Sequence, residues 1–146
     1  MTPLGALQAS AFGRAMREVA WLFPAVKAAH LAGVALLFGS IAWLDLRLLG
    51  IFESRSVKEL ARRLLPWTAA SFLLIVPSGF AMFAAYAGDF IASPVFAVKM
   101  GLILAAGVNA ALFHTGASRE RVAGGVSLLL WISVIACGLV LASSES

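Results

Sequence analysis

Four long apolar runs, separated by short polar breaks, organise the chain. They cover residues 23–50, 64–87, 95–115 and 122–142. Each holds about 20 residues or more, the length an α-helix needs to cross the hydrocarbon core of a bilayer. Pro24 and Pro66 fall in the first turns of the first two runs, and Ser93-Pro94 opens the third, all positions where helices begin. Pro77, followed by Ser78 and Gly79, predicts a kink in the second run. Short connectors favour antiparallel neighbours. The pattern therefore predicts an all-α integral membrane four-helix bundle with up-down course, forming a single membrane domain over residues 1–146.

The stretch before the first run follows another rule. Phe12, Met16, Val19 and Phe23 recur at helical spacing, with Ser10, Arg14, Arg17 and Glu18 opposite. That predicts an amphipathic helix over residues 4–22, lying in the membrane interface with Trp21 at headgroup level. No basic start, short apolar core and cleavage site occur in residues 1–22. The first span is therefore expected to drive insertion itself.

Composition strengthens the membrane reading. The chain is 62% hydrophobic and 12% charged, with mean hydropathy +0.97. A soluble domain is nearer half apolar and a quarter charged. The net charge of +4 sits mainly at the ends of apolar runs. It marks topology and attraction to anionic lipid, not a nucleic-acid face, which would need a basic stripe. Cys137 is the single cysteine and lies within an apolar run, where it reads as a small buried hydrophobe.

The connector between the first two runs carries Arg55, Lys58, Arg62 and Arg63, and the third connector carries Arg119 and Arg121. The positive-inside rule places both in the cytoplasm, with the two termini on the non-cytoplasmic side. Arg14 and Arg17 run against that orientation.

At ~1.5 Å per residue the spans convert position into depth. An outer layer then holds His30, Lys99 and Ser78, together with Lys27. An inner layer holds Asp45, Arg47, Asn109 and His114, with Trp67 and Thr68 beside them. Ionisable groups in a span call for partners or a function. The two histidines suggest a b-type haem, but helix rise sets them ~20 Å or more apart along the membrane normal, too far for one iron. A haem on His30 alone stays open. So does a relay through Asp45 and His114 serving solute or ion transport, and so does a purely structural role. No residue set has metal-ligand spacing, and GxSxG, HExxH, Walker and GxGxxG motifs are absent. The chain reads as non-catalytic on its own.

The runs WLFPAVKAAHLAGVALLFGSIAWLDLRLLG, RRLLPWTAASFLLIVPSGFAMF and SPVFAVKMGLILAAGVNAALFH resemble a bacterial four-helix inner-membrane family classed as a domain of unknown function. The motif residues here are His30, Gly39, Asp45, Arg47, Pro66, Trp67, Gly79, Lys99, Asn109 and His114. More distantly, the chain is similar to copper-resistance D-type membrane domains. The nearer resemblance implies fold and location without an activity, and the distant one implies metal or haem chemistry. The leading expectation is a small membrane subunit whose polar layers bind a cofactor, a lipid or a partner. Its partners would be membrane lipids, a second copy, or a membrane redox complex.

Overall fold

A computed structural model describes residues 2–51 and 56–144. Every regular element among the described residues is an α-helix, with no strand among them. Two short helices, α1 (Pro3–Ala9) and α2 (Ala11–Glu18), precede α3 (Leu22–Leu48). Then come α4 (Val57–Ala85), the short α5 (Ala87–Ala92), α6 (Pro94–His114) and α7 (Glu120–Ser144). Four of these, α3, α4, α6 and α7, are long and apolar enough to cross a membrane.

Local chemistry explains where the boundaries differ from the sequence reading. The single helix expected over residues 4–22 is split at Ser10, whose backbone is extended. Its hydroxyl donates to the Leu7 carbonyl at 2.6 Å and accepts from the Gly13 amide at 3.0 Å, so one residue closes α1 and opens α2. The second span starts seven residues before the expected 64. Ser56 accepts from the Glu59 amide at 3.1 Å, a serine N-cap with glutamate three residues on. Lys58, Arg62 and Arg63 therefore ride on the first turns of α4. Part of the basic connector, residues 52–55, lies outside the described residues. The break between the second and third apolar runs, residues 88–94, reads as a turn by its glycine and Ser-Pro pair, but most of it forms the helix α5.

Gly50 and Gly116 end α3 and α6 with φ of 84° and 77°, values a side chain resists. Around each, the backbone closes the helix with paired bonds, Gly50 to Arg47 and Ile51 to Leu46, then Gly116 to Phe113 and Ala117 to Leu112. α4 runs as one helix through both Pro66 and Pro77.

The long helices form a row. α3 packs between α4 and α7, and α6 packs on the far side of α7. Among the described residues the backbones of α4 and α6 do not come together along the spans. Only at one end do Phe83, Phe90 and Phe96 join them, with ring centroids 5.3–6.2 Å apart. α3 approaches both neighbours at glycines. A Cβ on Gly33 would lie 2.8 Å from the Ile75 side chain, and one on Gly124 would lie 2.8 Å from the Asp45 carbonyl oxygen. Large apolar side chains cover the outside: Leu73 is 77% exposed, Leu104 71% and Leu129 68%. Such a surface suits lipid as its solvent.

The two N-terminal helices dock on the end of α4. Met16 is buried against Ala81 and Ala85. The Arg17 guanidinium donates to the Ala85 carbonyl at 2.8 Å, capping a helix end that carries partial negative charge. The Gly88 amide donates to Gln8 at 2.9 Å. Arg17 thus faces protein, not the polar side assigned to it by helical spacing.

Candidate functional site

The polar side chains in the spans are where function was sought. His30 sits on α3 opposite the proline turn of α4. Its Nδ1 lies 3.0 Å from the Ser78 Oγ. The Ser78 hydroxyl donates to the Leu74 carbonyl, with Ile75 at 3.2 Å as a second acceptor. Its one proton is thus committed to the backbone, so the Ser78 oxygen accepts from His30 Nδ1–H. The ring lies over Gly79, where a Cβ would come within 3.3 Å of it. The sequence explains the arrangement. Pro77 removes an amide donor from this turn, Ser78 reinforces the turn with its hydroxyl, and Gly79 leaves room for imidazole.

Lys99 completes this end of the layer. Its ammonium lies against Gly138 of α7 and within electrostatic range of His30. Lys27 donates to the Ala142 carbonyl at 3.4 Å. Both lysines, one from α3 and one from α6, thus meet the last turns of α7, where a helix attracts cations. Midway along the α3–α4 contact, Ser40 and Thr68 pair at 3.1 Å, and the fully buried Ser71 donates to the Thr68 carbonyl at 2.6 Å. Trp67, placed beside them by sequence, is 58% exposed on the outer surface.

The inner residues do not gather into one group. Asp45 is buried, with 3% exposure, at the crossing of α3 with α7. Ser127 lies within hydrogen-bonding reach of its carboxyl, and Oδ2 has no partner among the described residues. Asn109 donates to the Ala123 carbonyl at 3.0 Å. Arg47 is half-buried in the last turn of α3. His114 is exposed at the end of α6, its ring tilted against Phe113 at 5.7 Å. Asp45 and His114, a pair suggested by depth, are therefore served by different surroundings. Depth alone could not show that α7 stands between α3 and α6. The residues that do receive Asp45 and Asn109 are Ser127 and Ala123. Their signal in the sequence was the small-residue stretch AGGVS at the start of the fourth run.

Among the described residues no three His, Cys, Asp or Glu side chains come together as a metal site. His30 and His114 lie on helices that do not pack against each other, so no single planar group reaches both. Removing the His30–Ser78 pair tests its weight. A double-mutant cycle of His30→Gln and Ser78→Ala is expected to show a coupling of about 0.6–1.7 kcal/mol, the range of hydrogen bonds between membrane helices. Denaturant unfolding in micelles measures it, and zero coupling would refute the bond.

No protein-family model, curated protein or solved structure matches the chain. Fold and site together define an all-helical protein with four helices able to span a membrane.

Proposed function

We propose that the protein is a small multi-pass subunit of a bacterial cytoplasmic membrane, non-catalytic on its own, that assembles with a second copy or with a membrane redox complex. One observation carries this reading: the polar side chains of the spans go to neighbouring helices instead of converging on a common point. His30 holds Ser78, Ser40 holds Thr68, Asn109 holds Ala123, and Lys27 holds Ala142. Such bonds fix helix against helix. The pairings run in opposite sequence order along α3–α4, α3–α7 and α6–α7, which supports an up-down course. The unpaired flank between α4 and α6 supplies a surface for a further membrane helix.

The test is the mass of the protein in mild detergent, with cysteines at Phe80 and Val98 for cross-linking, since both side chains are exposed on α4 and α6. The expected result is a defined oligomer or a co-purifying membrane protein, linked through these positions. A strict monomer at every concentration, carrying a Soret band, would overturn the proposal in favour of a haem carrier.

A further inference from the structure

A cleft among the described residues lies away from the polar layers. It measures ≈ 440 Å³ and opens at the end where α3 and α6 begin and α4 and α7 finish. In a protein crossing a bilayer, that is the depth of the lipid headgroups. The volume falls within the range of small-molecule sites, roughly 300–1,000 Å³.

Its lining combines two opposite charges with aromatic walls. Arg17 uses one N–H on the Ala85 carbonyl, and a guanidinium has five. Asp89 is exposed in the same cleft, and its carboxylate has no hydrogen bond or ion pair among the described residues. The Tyr86 hydroxyl is likewise without a hydrogen-bond partner among them. Its ring meets Phe23 edge-to-face at 5.5 Å, and Phe90 closes another side. Val19 adds an apolar surface.

These groups ask for a ligand with both charges. A guanidinium fork suits a phosphate. A carboxylate beside aromatic faces suits an ammonium, through charge and through the ring quadrupole. An anionic headgroup without an ammonium leaves Asp89 unanswered, and a cation without phosphate meets Arg17. We propose that this cleft binds a phosphate–ammonium zwitterion, with phosphate on Arg17 and ammonium between Asp89 and Tyr86. Phosphatidylethanolamine and free phosphoethanolamine share that chemistry.

The full-length protein in neutral detergent is titrated with three short-chain amphiphiles, and adducts are counted by native mass spectrometry. The probes are phosphatidylethanolamine, phosphatidylglycerol and an alkylammonium amphiphile lacking phosphate. The ethanolamine lipid is expected to bind roughly tenfold more tightly than either control, the effect of one charge-assisted hydrogen bond. Asp89→Asn is expected to abolish its advantage over phosphatidylglycerol while helical content by circular dichroism stays unchanged. Tyr86→Phe keeps the ring against Phe23 and is expected to weaken binding several-fold. Competition by free phosphoethanolamine would assign a soluble ligand, whereas competition only by the lipid would assign the headgroup; both support the site. Equal retention of all three probes, or an ethanolamine preference unchanged in both variants, would overturn it.

Discussion

Gly124→Ala is expected to destabilise the protein by about 1–3 kcal/mol, the usual cost of forcing atoms into a packed contact. The added carbon would lie 2.8 Å from the Asp45 carbonyl oxygen and 2.9 Å from the Leu48 Cβ. Neither atom is moved by a side-chain rotation, since one is backbone and the other a Cβ. Relief therefore requires α3 and α7 to move apart, which also draws Ser127 from Asp45. Gly39→Ala is the matched control. Nothing lies within 4 Å of a Cβ there, and alanine suits a helix better than glycine by about 0.5–1 kcal/mol. The two variants should thus change stability in opposite directions. Thermal and denaturant unfolding in micelles measure both, and equal effects would refute the close crossing at Gly124.

Met16→Ala is expected to loosen the N-terminal pair of helices from the end of α4. Met16 is 1% exposed and packs on Ala81 and Ala85, with Leu22, Phe23, Val26 and Tyr86 around it. Truncating a buried methionine costs about 2–5 kcal/mol, and the lower end applies at the edge of a lipid-solvated protein. That is enough to open a short segment locally without melting the spans. Trypsin should then cut after Arg14 and Arg17 faster than in the parent protein, with the helical signal of the spans preserved. Unchanged cleavage would mean that this contact does not hold the pair in place.

The spans were legible because their signal is long and redundant. Twenty apolar residues cannot be accommodated any other way in so small a chain. The boundaries were less legible because single hydrogen bonds set them. Ser56 with Glu59 draws the basic connector into α4, and that four-residue pattern was open to reading. Ser10 breaks the N-terminal helix through a hydroxyl that serves both sides, a choice helical spacing cannot express. At the site, helix rise groups Ser78 with His30, and the two side chains lie 3.0 Å apart. It could not say which helix stands beside which. Asp45 and His114, placed in one layer by sequence, do not share a neighbour, since α7 intervenes. Lys27 and Lys99 fall in one layer by sequence, but only the structure shows that the end of α7 receives both.

The unequal lengths of the spans carry a consequence for the membrane itself. α6 has 21 residues, about 31 Å of helix, whereas α4 has 29, about 43 Å. A hydrocarbon core ~30 Å thick leaves α6 almost no slack. Tilting it would pull Ser93 and Thr115, its capping residues, into the acyl chains. A bilayer thicker than ~30 Å would therefore be mismatched first at α6, whereas α4 has helix to spare and carries charges on its first turns. Thicker bilayers would be penalised through the short helix, by fractions of a kcal/mol per Å of mismatch. The protein should accordingly partition into the thinner regions of a membrane that offers a choice.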